Sequence, residues 1–158
     1  MPAISRSVRH DLAAIPLGAP ENTYYGLIRF YMNISQVQIT WYALSQGQIV
    51  FFLEAKPLYR LTTQSARAEA DDQMRRRFQQ LLPHCPLSAL YAISVFGSVS
   101  CIYRYTPFSN DIEPPLIPSH PLFVTDIAPV GRWAYDMRVK RESKIIMAVL
   151  KLVDELCW

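Results

Sequence analysis

From residue 36 the chain alternates. Val37, Ile39, Trp41 and Ala43 fall on one side, Gln36, Gln38, Thr40 and Tyr42 on the other, the period of a half-buried strand. Ser45-Gln46-Gly47 reads as a turn. QIVFFLEAK follows with almost no polar interruption, as in a strand covered on both faces. Pro57 cannot donate to a sheet ladder, so this strand ends at Lys56. Thr62 or Thr63 caps a helix running to about Leu82, before Pro83 and Pro86. Its apolar stripe is Ala66, Ala70, Met74, Phe78 and Leu81.

Beyond the helix, ALYAISVF and VSCIYRY predict two strands joined at Gly97-Ser98. Residues 106–132 hold six prolines and no period, so a long surface segment is expected there. From about Val139 to Cys157, Ile145, Ile146, Val149, Leu150, Val153 and Leu156 share one helical face. Residues 1–20 read as an irregular arm, and ENTYYGLIRFYM (21–32) fits a short helix or a strand. The expectation is a single α/β (α+β) domain over 21–158, with a mixed sheet.

A chain of 158 residues, 51% hydrophobic and 18% charged, suffices for one core and is too short for two ordinary domains. No apolar run is long enough to span a bilayer, and MPAISRSVRHD lacks the apolar stretch of a secretory leader. The three cysteines and three histidines are scattered, without zinc spacing. An intracellular, reducing compartment (cytoplasm or nucleus) is expected. No phosphate-binding glycine loop occurs, and Ser94, Ser98 and Ser100 lack a nucleophile elbow, which sets aside kinase, dehydrogenase and serine hydrolase chemistry. A net charge of +3 permits an anionic partner without requiring one.

The chemistry-bearing residues are Glu54 and Lys56, two apart on a strand and so on one face, beside Val50 and Phe52. Such charges at the end of a buried strand must pair with each other or meet a ligand. On the helix, Gln73 and Arg77 lie about 20° to either side of Ala66, so both face the sheet unless they snorkel to water.

Strand, ExK, loop and Gln-bearing helix together resemble the PD-(D/E)xK nuclease superfamily, of restriction-endonuclease-like fold. The stretches IVFFLEAKP, AEADDQMRRRF, LYAISVFGSVSCIYRY and FVTDIAPVGRWAYDM are similar to a group of uncharacterised fungal PD-(D/E)xK-like proteins. The resemblance implies Glu54 and the Ala55 carbonyl as ligands of Mg²⁺ or Mn²⁺, Lys56 as catalytic lysine, Gln73 as the helix glutamine, and DNA or RNA as substrate. The family's first acid, expected on the preceding strand, is missing: no Asp or Glu lies between Glu21 and Glu54. A three-residue turn at 45–47 would set Gln38 opposite Glu54 and Gln36 opposite Lys56. An amide brings no charge to a magnesium site. The resulting expectation is a degenerate nuclease-like domain of reduced or absent activity. The alternatives are a noncatalytic protein-interaction module and an active enzyme with a relocated acid, Glu21 or, less well placed, Asp11.

Two basic groups remain. Asp71 with Arg75 and Asp72 with Arg76 fit a solvated helix face, against phosphate contact by this helix with Arg60, Arg67 and Arg77 as helpers. Arg138, Lys140, Arg141 and Lys144 enter the last helix where cations oppose its dipole, so they are not there for helix stability; binding an acidic surface is one reading, beside that of a solvated face. Most of the aromatic residues, including Tyr42, read as core rather than as base-stacking platforms.

Overall fold

The computed structural model describes residues 39–45, 48–85 and 87–156. The expectations for the N-terminal arm, residues 21–32, Gln36, Gln38 and Cys157 lie outside these residues. Six strands form one mixed sheet: β1 (Ile39–Ser45), β2 (Gln48–Lys56), β3 (Leu90–Phe96), β4 (Val99–Thr106), β5 (Asp111–Glu113) and β6 (Tyr135–Asp136). The order is β1-β2-β3-β4-β5, with β6 also on β4. β2 and β3 run parallel and the other pairs antiparallel. The parallel pair needs a crossover, supplied by α1 (Gln64–Leu81). The last element is α2 (Lys140–Leu156). The architecture is mixed α/β, as the residue pattern predicts. Among the described residues no helix is long and apolar enough to cross a membrane.

The two helices cover opposite faces. Ala70, Met74 and Phe78 of α1 pack with Phe52, Leu90, Ala92, Phe96, Tyr103 and Trp133. Ile146, Met147, Leu150 and Val153 of α2 pack with Phe51, Leu53, Ala55, Ile93 and Val95. This double cover explains why β2 carries so little polar interruption. Ile145, expected on the apolar face of α2, is 40% exposed because it sits at the stripe's margin. Neither threonine caps α1 through its side chain: Thr63 makes no cap bond, and Thr62 Oγ1 donates to the Tyr59 carbonyl instead.

β2 ends at Pro57 in extended geometry, and a 3-10 turn (Leu58–Thr62) leads into α1. The Lys56 carbonyl accepts from Gly97 N at the β3–β4 turn. Gly97 has φ +60°, and a side-chain carbon there would fall 2.7 Å from Leu58 Cβ. Glycine thus permits both the turn and its close approach to the end of β2.

The β1–β2 register differs from the expected one. Ser45 pairs with Gln48, so the loop holds two residues rather than three, and a bulge follows because Ala43 pairs with Phe51 while Leu44 pairs with Ile49. The shorter loop and the extra residue each shift the pairing by one. Thr40, not Gln38, therefore stands opposite Glu54. The bulge also sends Val50 into the α2-side core rather than beside Glu54.

A second departure concerns charge. Asp71 and Arg75 were expected on a solvated face, yet they are 1% and 9% exposed. Asp71 accepts from Arg75 Nε (2.8 Å), Tyr103 OH (2.7 Å) and Arg132 NH1 (2.5 Å). Arg75 and Arg132 in turn donate to the Pro114 and Pro115 carbonyls. The proline-rich segment is thereby tied to α1. Asp72 and Arg76 do form the expected exposed pair. Burial pushes the Cys101 thiol up to about 12, so it is a packed, unreactive group rather than a nucleophile.

Removing Asp71 leaves two buried guanidinium groups without their counter-ion. Asp71→Ala is expected to destabilise the fold by about 3–5 kcal/mol in urea unfolding, and Asp72→Ala by under about 1 kcal/mol. Equal effects would contradict the buried network.

Candidate functional site

Glu54 and Lys56 occupy the last turns of the pleat in β2, on the side facing α1. Both are buried, at 0% and 2% exposure. Lys56 Nζ donates to Glu54 Oε2 at 3.1 Å. Arg77 Nε, arriving from α1, donates to Glu54 Oε1 at 2.7 Å. Each carboxylate oxygen therefore has its own cation. Arg77 also donates to Tyr42 OH, and its guanidinium carbon lies 5.5 Å from the Tyr42 ring centroid. This combination of ion pair and ring contact fixes a side chain that is still 27% exposed.

Helix geometry accounts for the placement of Arg77. Its position beside the Ala66–Met74–Phe78 stripe aims it at the sheet, and the acid beneath gives it a partner. Burial pushes the Lys56 ammonium below its ordinary value, and Glu54 draws it partly back. One carboxylate and two cations leave a local excess of one positive charge. That excess opposes a divalent cation, which would have to displace Arg77 or Lys56 to reach Glu54.

The neighbours of Glu54 across the sheet are Thr40 on β1 and Ser94 on β3. Neither carries a carboxylate. Ser94 Oγ accepts from Trp133 Nε1 at 3.2 Å. Among the described residues no group of three histidine, cysteine, aspartate or glutamate side chains is arranged to hold a metal. Ala55 lies between two paired strands, its side chain in the α2-side core.

Outside this buried triad, α1 presents an open polar cleft of about 240 Å³ lined by Gln73, Arg76, Arg77 and Gln80. Gln73 Nε2 donates to Glu69 Oε1 at 3.1 Å, and Arg60 pairs with the other oxygen of Glu69 at 2.9 Å. The structure thus brings Gln73 and Arg77 to one cleft and sets Arg60 near its rim. Arg67 is elsewhere: it is buried and donates to the Leu61 and Ala128 carbonyls and to Asp126. All three bonds are internal, so Arg67 ties the 126–128 segment to α1 rather than facing a phosphate.

Sequence reasoning did not assign a role to Tyr42 or Thr40. Both belong to the polar side of the β1 alternation, the side that meets Glu54. That shared side was the available signal; the contact with Arg77 was not visible in it. Comparison with protein-family models, curated proteins and solved structures finds no match to this chain.

The triad has a stability consequence. Glu54→Leu strands Lys56 and is expected to cost about 3–5 kcal/mol in urea unfolding, whereas Glu54→Leu with Lys56→Met removes both buried charges and recovers most of that loss. A double variant no more stable than the single one would contradict the pairing.

Proposed function

We propose that the chain is a PD-(D/E)xK nuclease-like domain, restriction-endonuclease-like in descent, whose metal site is degenerate. It acts on nucleic acid with reduced or absent cleavage. The observation that carries this reading is the state of Glu54: an acid at the ExK position, both oxygens engaged by Lys56 and Arg77, with threonine and serine as its cross-sheet neighbours.

The placement of Glu54 and Lys56 at the end of a central strand, under a crossover helix carrying Gln73, supports the descent. In an active relative, Glu54 and the Ala55 carbonyl would hold Mg²⁺ or Mn²⁺, and the ion would stabilise charge on the phosphate and activate water. Here the residues fit that ion poorly, because the second carboxylate is missing from the described residues and the first is neutralised. Lys56, bound to Glu54, stays an internal counter-ion. The rival enzyme reading, with an acid such as Glu21 relocated into the site, concerns a residue outside those described. A noncatalytic protein-interaction module is the other alternative.

Incubation with single- and double-stranded DNA and RNA in Mg²⁺ or Mn²⁺ is expected to give weak cleavage at most. Restoring the acid and freeing Glu54 together, in Thr40→Asp with Arg77→Ala, is expected to create Mn²⁺ binding at least about tenfold tighter than wild type by calorimetry. Efficient, multiple-turnover cleavage by wild type, abolished by both Glu54→Ala and Lys56→Ala in variants shown by circular dichroism to be folded, would overturn the reading and establish a working nuclease.

A further inference from the structure

Among the described residues the cations on the outer face of α2 have no ion-pair partner. They are Lys140, Arg141, Lys144 and Lys151, all exposed. At 100° per residue Lys140, Lys144 and Lys151 fall within about 40° of one another, with Arg141 about 100° round from Lys140. At 1.5 Å per residue they line about 16 Å of the helix. Two acids, Asp154 and Glu155, lie about 60° and 40° from the middle of the lysine row. Arg138, the remaining cation of the sequence cluster, is set apart by a bidentate pair with Asp136. Lys140 and Arg141 sit in the first turn, where positive charge opposes the helix dipole and costs stability. A partner that neutralises the row would offset that cost.

We propose that this face docks the sugar-phosphate backbone of a nucleic acid. The proposal deepens the nucleic-acid reading above and rests on it for the class of partner. Three features select that partner. A row dominated by lysines presents separated point charges, suited to a repeating polyanion, whereas bidentate capture of single carboxylates favours arginine. The apolar side of α2 is committed to the core through Ile146, Met147, Leu150 and Val153, so the helix cannot sink that side into a bilayer. No aromatic residue occurs in α2, so bases have nothing to stack on and contact stays on the backbone. The α2 face lies across the sheet from Glu54, because α2 and Arg77-bearing α1 cover opposite sides. A strand held there stays away from the ExK residues, which fits binding without cleavage.

Fluorescence anisotropy of labelled 20-mers, single-stranded and duplex, against salt concentration tests this. For about four backbone contacts, log K against log salt should fall with a slope of roughly −3 to −4 on duplex, independent of base sequence. Lys140→Ala/Lys144→Ala/Lys151→Ala should flatten the slope by about 2 to 3 and weaken binding at least tenfold, with an unchanged circular dichroism spectrum. Wild type that fails to bind, a triple variant that binds like wild type, or equal competition by poly-glutamate or anionic vesicles would overturn the proposal. A triple variant that binds like wild type fails this face alone and leaves the nucleic-acid reading standing, whereas wild type that binds nothing removes both; the metal-site reading is decided separately, by cleavage and by the Thr40→Asp/Arg77→Ala variant.

Discussion

A carboxylate with no exposed surface cannot remain ionised in a protein interior without compensation, and Glu54 is such a group. Its place follows from β2, which passes through the middle of the molecule with a helix on either side. The strand's apolar residues bury Glu54 with them. Lys56, two residues on, and Arg77, one helix away, supply the charge that makes this burial tolerable. α1 must therefore approach the sheet at the height that lets Arg77 reach Glu54, and Tyr42 holds the guanidinium from the β1 side. The same compensation that stabilises the acid engages both of its oxygens.

The α1 face repeats this solution along its length. Arg67, Asp71 and Arg75 are buried charges, each with at least one partner from residues 103–132. They fasten a proline-rich segment that has little regular structure of its own. Prolines cannot supply backbone donors, so the Pro114 and Pro115 carbonyls are met by the guanidinium groups of Arg75 and Arg132. The α2 face is built differently. Its inner side is apolar and its outer side carries exposed cations that form no ion pair among the described residues.

Much of the fold was legible because periodicity is a local property. The alternation in β1, the continuous apolar run of β2 and the helical stripe of α1 each predict an element whose structure matches. Glu54 and Lys56 were legible for the same reason, as charges where an apolar strand ends. The register of β1 was not, because it depends on a bulge at Val50 that no local pattern announces. Asp71 and Arg75 looked like an exposed i,i+4 pair; their burial is decided by Tyr103 and Arg132, 32 and 61 residues from Asp71 in sequence. Arg77 was correctly aimed at the sheet by helix geometry, but its union with Glu54 needed the packing of α1 on β2.

Lys56 and Arg77 engage both oxygens of Glu54, and the proposal that this pairing shuts out a metal ion stands or falls on what Glu54 does in the presence of one. A crystal soaked in Mn²⁺ and measured at a wavelength where manganese scatters anomalously tests it directly. No anomalous peak is expected within coordinating distance of Glu54, with Arg77 still bonded to its carboxylate. A manganese peak on Glu54 and the Ala55 carbonyl, with Arg77 swung away, would contradict it.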